Sequence, residues 1–184
     1  MRLLLHVCCG PCATATVGFW RGRGAELLGF FYNPNIQPLA EHQRRLCGVR
    51  DLAEIVGIEV IEDAAHGLEE WFHVESGPGT SRCAHCMRVR LERAAAETVA
   101  SGCEAFSTTL SISPWQDHDA IKAEGERAAA AFGVSFVYED LRRLYPETRR
   151  LSREWGLYRQ KYCGCSLSEW QQVLARKPKV AACS

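Results

Sequence analysis

The stretch LLLHVCCGPC, residues 3–12, joins an apolar run to a cluster of cysteines and then to a helix start. Leu3 to Cys8 reads as a short buried strand. Pro11 suits the first turn of a helix, where its missing N–H is no loss. Ala13 to Trp20 continues that helix until Gly22 and Gly24. A strand that passes straight into a helix begins a βα unit, and the pattern repeats. Strands are expected at Leu27–Tyr32, Ile58–Ile61, Ala105–Leu110 and Val134–Tyr138. Helices are expected from Pro38, with Leu39, Leu46, Val49, Ala53 and Val56 as the apolar stripe, then near Leu68–Val74. Further helices run from Arg82 to about Ala100, capped by Thr80 or Ser81, from Asp117 through Phe132, and near Ser168–Arg176. Near-continuous apolar strands alternating with helices predict an α/β fold, a parallel sheet of about five strands with helices on both faces. In such sheets ligands sit beyond the carboxyl ends of the strands. The first cysteines lie at that end of the first strand.

The 184 residues suit a single domain, 1–184, with about 177–184 as a C-terminal tail. Hydrophobic residues make up 47% and charged residues 24%, enough for a proper core. No apolar run reaches the length of a membrane span. The apolar stretch at Leu3–Val7 is too short for a signal-peptide core. The expected location is therefore the cytoplasm.

Ten cysteines are many for such a chain. In a reducing compartment, clustered cysteines bind metal or do redox chemistry more often than they form staples. Cys8, Cys9 and Cys12 form one group, Cys83 and Cys86 a second, and Cys163 and Cys165 a third. Cys47, Cys103 and Cys183 stand alone, as small core residues or tail. Cys9-Gly10-Pro11-Cys12 spells the thioredoxin dithiol motif, and a helix N-terminus lowers thiol pKa values. Against that reading, no βα unit precedes it, and Cys8 stands where a thioredoxin has an aromatic residue. Cys83 and Cys86, three apart at a helix start, share a face and form a bidentate metal clip for zinc or an iron–sulfur cluster. Cys163-Gly164-Cys165 is too tight for most metal sites. A disulfide across it closes a strained ring, which suits a redox couple better than a staple.

Net charge is zero, yet seven basic residues against two acidic ones lie between Arg142 and Lys161, with Tyr145, Trp155 and Tyr158 interleaved. Cations with aromatics suit a nucleic-acid strand. The competing reading is a solvated helix face carrying Arg–Glu pairs.

Five stretches together resemble the QueH-type, cobalamin-independent epoxyqueuosine reductases. They are LLLHVCCGPC (3–12), FFYNPNIQP (30–38), SRCAHCMRVRL (81–91), FSTTLSISPWQDHD (106–119) and LYRQKYCGCSLS (157–168). Gly10 and Ala13 depart from the Ala and Ser expected for the family. The resemblance implies a nucleotide-hydrolase-like (HUP-type) fold and an oxidoreductase that converts epoxyqueuosine to queuosine in the tRNA anticodon without cobalamin. It implies that Cys8, Cys9, Cys83 and Cys86 hold a [4Fe–4S] cluster, with Cys12 as rival ligand or as ligand to an additional iron. Cys163 and Cys165 are then the redox-active pair. Arg149, Arg150, Arg153, Tyr158, Arg159 and Lys161 are the candidates for tRNA binding, and Asp117, His118, Asp140 and Tyr162 for proton donation. An electron donor, unidentified, is a required partner. The alternatives are a zinc-bound RNA-binding or tRNA thiolation protein, and a simple dithiol–disulfide oxidoreductase.

Overall fold

Alternation along the first strand sets the layers. In the computed structural model, which describes residues 1–64, 66–67, 71 and 82–175, β1 (Arg2–His6) is the middle strand. Leu3 and Leu5, with Val7 beyond the strand end, point to one face, and Leu4 points to the other. Each is buried, and each such burial contributes about 1.5–3 kcal/mol. The strands β2 (Glu26–Tyr32), β3 (Glu59–Asp63), β4 (Ala105–Thr108) and β5 (Ser135–Phe136) complete a sheet of order β3-β2-β1-β4-β5. Every pairing is parallel.

Helices α1 (Gly10–Arg21) and α2 (Leu39–Val56) cover the Leu3/Leu5 face, through Ala13, Val17, Trp20, Leu46, Val49 and Leu52. Helices α3 (Arg82–Ala100) and α4 (His118–Phe132) cover the Leu4 face, through Met87, Leu91, Ala94, Ile121 and Ala128. Two 3-10 turns (Thr109–Ile112 and Arg142–Leu144), α5 (Tyr145–Glu154) and α6 (Ser166–Ala175) follow β4 and β5.

The expected α/β architecture with helices on both faces is what the structure has. Local details differ. The fourth strand stops at Thr108, because Thr108 Oγ1 accepts the Leu110 N–H and starts a 3-10 turn. Leu39 is exposed, and Leu52, outside the expected stripe, is buried in the core. Cys47 is exposed, whereas Cys103 is buried. Asp117 caps α4 as expected, and Gly133 ends it in the left-handed region at φ 66°. The helix expected near 68–74, the Thr80/Ser81 cap, the tail at 177–184 and Cys183 lie outside the described residues.

Gly10 is where α1 meets α2. A Cβ there would stand 2.2 Å from the Gly48 carbonyl oxygen, which is backbone and cannot swing aside. This contact accounts for glycine at the position where the resemblance leads one to expect alanine. Overpacking of this kind costs about 1–3 kcal/mol. Gly10→Ala is therefore expected to lower the melting temperature. Gly18→Ala, in the same helix with open space around it, should leave it unchanged or raise it.

Candidate metal and redox site

The strand order turns back between β1 and β4, since β1 leads to β2 and β3 on one side and β4 returns on the other. The crevice beyond those two strand ends is where open parallel sheets bind ligands. Cys8 and Cys9 lie there.

Adjacent residues on a strand point to opposite faces, so Cys8 and Cys9 can converge only outside the pleat. β1 ends at His6, and α1 begins at Gly10. The two Sγ atoms stand 3.8 Å apart. Cys12, one helical turn on, joins them, and all three Sγ atoms lie within 4.8 Å of one another. Cys12 is thus in the same group as the two expected ligands. Among the described residues no other such group is formed.

Thr109 serves Cys8 twice. Its Oγ1 accepts the Cys8 N–H at 3.0 Å, and its hydroxyl donates to Cys8 Sγ at 3.2 Å. Gln160 Nε2 donates to Cys9 Sγ at 3.0 Å. Hydrogen bonding with Cys12 and Cys9 holds Cys8 well below the ordinary thiol range. Burial pushes Cys9 up, and the bond to Cys8 pushes Cys12 up. Cys8 is thus the most readily ionised of the three. A metal ion would displace the remaining protons.

Cys86 is buried on the first turns of α3, and Cys83 is exposed one turn earlier. Arg90 Nη2 donates to Cys86 Sγ at 3.1 Å, and its Nε donates to the Cys86 carbonyl at 2.9 Å. Burial pushes the Cys86 thiol up to about 12; Arg90 pulls against this, and Cys163, Cys165 and Cys83 add to it. The second and third cysteine groups therefore act on each other electrostatically. Arg90 is 3% exposed and has no carboxylate partner among the described residues. A buried cation without an anion is costly. Anionic thiolates around a metal offset that cost, so the donor set fits a thiolate-bound metal centre.

His6 sits beneath this centre, fully buried. Its Nε2 meets the Tyr32 carbonyl at 3.1 Å and its Nδ1 meets Thr108 Oγ1 at 2.9 Å. A carbonyl only accepts, so Nε2 carries the proton. Burial, then the Arg90 charge, lower its pKa to about 4, and the ring is neutral.

The Cys163-Gly164-Cys165 loop is fixed by backbone contacts. Arg45 Nη1 donates to the Cys163 carbonyl at 2.7 Å and Nη2 to the Tyr162 carbonyl at 2.9 Å. The Gly164 carbonyl accepts the Gln37 N–H at 2.8 Å. Gly164 has φ 151°, and a Cβ there would press on Asn35, Ile36 and Arg45. Only glycine fits. Cys163 is exposed, Cys165 half-buried, both are free thiols, and Gln116 Nε2 donates to Cys163 Sγ at 3.2 Å. Sequence reasoning singled out neither Arg45 nor Gln116 nor Gln160. Gln116 and Gln160 had position inside the family stretches as their only signal, and Arg45 had none.

The four proton-donor candidates are all engaged. Asp117 caps α4, Arg142 holds Asp140 well below the carboxylate range, and the Tyr162 hydroxyl donates to the Gln37 carbonyl. His118 Nε2 donates to the Ser113 carbonyl, leaving Nδ1 to accept from the Tyr138 hydroxyl at 2.6 Å. Of the basic candidates, Arg150 is neutralised by Glu147 and Glu154, and the Tyr158 hydroxyl is held by Glu41. Arg149, Arg153, Arg159 and Lys161 are exposed, with no ion pair among the described residues.

A family model described as "Epoxyqueuosine reductase QueH" matches residues 3–171. The chain belongs to the epoxyqueuosine reductase QueH family. It is an oxidoreductase. The QueH of Dehalococcoides mccartyi is 39% identical over 171 residues, covering 93% of this chain and 94% of its own. That of Thermotoga maritima is 38% identical over 191 residues, covering 99% and 95%. A solved structure, the zinc-inhibited form of teicoplanin deacetylase Orf2, shares 13% identity at a TM-score of 0.46, over 74% of this chain and 66% of that one. Four of the family stretches quoted from the sequence meet one another: the β1 end meets the turn after β4 through Thr109 and the last stretch through Gln160, and the C-G-C loop meets Gln37 of the loop after β2 and Gln116. Cys83 and Cys86 are not part of the group that Cys8, Cys9 and Cys12 form. Among the described residues no helix is long and apolar enough to cross a membrane.

The Glu41–Arg45 pair is 1% and 3% exposed, with Nε to Oε1 at 2.9 Å. Burial pushes the Glu41 carboxyl up, but hydrogen bonds from Tyr158 and Arg45 outweigh it and leave the pKa lowered. Stability from this group is present above the ordinary carboxylate pKa and is lost as pH falls through the lowered folded value. Glu41→Gln would strand the Arg45 charge. We expect a loss of about 3–5 kcal/mol in urea unfolding at neutral pH, with much of it recovered in the Glu41→Gln, Arg45→Met double variant.

Proposed function

We propose that this protein reduces epoxyqueuosine in the tRNA anticodon to queuosine, in the cytoplasm, as one domain with about 177–184 as its tail. The observation that carries this reading is the convergence of the Cys8, Cys9 and Cys12 sulfurs beyond the end of β1, with a buried Arg90 that has no carboxylate partner among the described residues. In the reaction the two C–O bonds of the epoxide break, a C=C bond forms, and the oxygen leaves as water. Two electrons and two protons are consumed. Closing a dithiol to a disulfide releases the same number of each, so Cys163 and Cys165 match the stoichiometry. An external electron donor must then restore the dithiol.

Cys8, Cys9, Cys83 and Cys86 would hold a [4Fe–4S] cluster, which would supply single-electron transfer next to the substrate. A second metal reading has its own support. Thiolates at about 2.3 Å from one tetrahedral ion stand about 3.8 Å apart, and Cys8 and Cys9 already have that spacing. Cys12 completes such a group, as rival ligand or as ligand to an additional iron. The protein's own groups prepare the site. Arg90 and Gln160 donate to sulfur, Thr109 orients Cys8, and Arg45 fixes the C-G-C backbone. The exposed Cys163 faces the substrate side, with the Gln116 amide on its sulfur. Arg149, Arg153, Arg159 and Lys161 neutralise tRNA phosphates, whereas Arg150 and Tyr158 support the fold.

Anaerobically purified protein should be brown, with iron and sulfide. Cys8→Ser and Cys86→Ser should lose most of both. Cys163→Ser and Cys165→Ser should keep normal iron and fail in turnover. A colourless protein containing only zinc would sink the reductase mechanism and favour the zinc-bound RNA-binding alternative. Iron lost in step with activity in the Cys163 and Cys165 variants would make those residues ligands.

A further inference from the structure

Trp115 is 75% exposed, more than any other large hydrophobic side chain among the described residues. Leaving an indole in water forgoes a large burial gain. Here it stands in the segment between the 3-10 turn after β4 and α4. Its neighbour Gln116 contacts Cys163 Sγ at 3.2 Å. Its ring meets Tyr145 edge-on, with centroids 5.0 Å apart and planes at 87°.

The turn that presents Trp115 is fixed from within. Ser113 Oγ accepts the Trp115 N–H at 3.3 Å, and the Ser113 carbonyl accepts the Gln116 N–H at 3.4 Å and His118 Nε2 at 3.0 Å. The Tyr138 hydroxyl in turn holds His118. The side chain is therefore displayed on an ordered support, which lowers the entropy cost of binding. Cations flank it. Arg149 lies one helical turn from Tyr145 on α5, so both share a face. Arg149 is exposed, with no ion pair among the described residues. Arg149, Arg159, Cys12 and Cys9 all lie within electrostatic reach of the half-buried Tyr145 hydroxyl, so the aromatic pair borders both the cations and the cysteine trio.

A flat, exposed indole with an edge-on tyrosine and unpaired arginines is the combination that binds single-stranded nucleic acid. We propose that Trp115 is the stacking platform for the nucleobase that flanks the reacting nucleotide, with Tyr145 buttressing the indole and Arg149 taking an adjoining phosphate. The inference rests on the tRNA reading above and adds a named subsite to it. The reacting nucleotide must reach Cys163. Trp115, one residue from the glutamine on that sulfur, therefore receives its neighbour. Cation and stack have separable signatures, since phosphate contacts set the salt dependence and stacking does not.

The test measures binding of a synthetic, unmodified anticodon stem–loop RNA to metal-loaded protein across a salt series. Trp115→Ala should weaken binding by about 5- to 100-fold, with an unchanged slope of log affinity against log salt. Trp115→Phe should keep most of the affinity. Arg149→Ala should flatten the slope. Melting temperature and iron content should not change in any of the three. Wild-type binding with full affinity in Trp115→Ala would overturn the platform and leave the tRNA reading standing. Absence of RNA binding by the wild type would overturn both. Full RNA affinity in Trp115→Ala, with turnover lost only when a protein reductant is used, would assign the indole to the electron donor and overturn the proposal.

Discussion

Everything at this site depends on how the central strand ends. His6 is the last residue of β1, and its two ring nitrogens are spent on the Tyr32 carbonyl of β2 and the Thr108 hydroxyl of β4. One neutral, fully buried side chain thus ties together the carboxyl ends of three strands. The Val7 carbonyl is taken by the Asn33 side chain, and the Cys8 N–H by Thr109. Because these bonds close the strand end without another ladder rung, the backbone leaves the pleat. Only then can Cys8 and Cys9 bring their sulfurs to one side.

A second tie brings the distant end of the chain to the same place. Arg45 on α2 spends its donors on Glu41 and on the carbonyls of Tyr162 and Cys163. These contacts span well over a hundred positions of sequence. They are strong because the guanidinium is desolvated and its three nitrogens each meet an acceptor. The pair also answers its own burial cost, since Glu41 supplies the opposite charge. Arg90 on the other face has no such partner among the described residues. Two buried arginines therefore flank the cysteines with different duties. Arg45 is a structural clasp, and Arg90 leaves a positive charge facing Cys86.

The basic segment shows how tertiary context sorts similar residues. Arg149, Arg150 and Arg153 are near-identical in sequence terms. On α5, Arg150 sits three residues after Glu147 and four before Glu154, and both carboxylates take it. Its neighbours are left exposed. The solvated-helix reading holds for Arg150, and the nucleic-acid reading stands as a proposal for its exposed neighbours.

The sequence by itself determined the α/β class, because near-continuous apolar strands are stable only between two helical layers. It also determined the start of α4 at Asp117, whose side chain caps it, and it named the three cysteine groups. The tertiary structure decided the rest. It decided that Cys12 joins Cys8 and Cys9, since the separation of sulfurs depends on where β1 stops rather than on spacing in the chain. It decided that Gly10 must lack a side chain, since the obstacle is the backbone of Gly48. It decided which cations are paired and that an exposed indole neighbours the glutamine held to Cys163. Local periodicity reports only burial and backbone shape. Which charges cancel, and which thiols meet, are long-range facts that exist only once the strands and helices are packed.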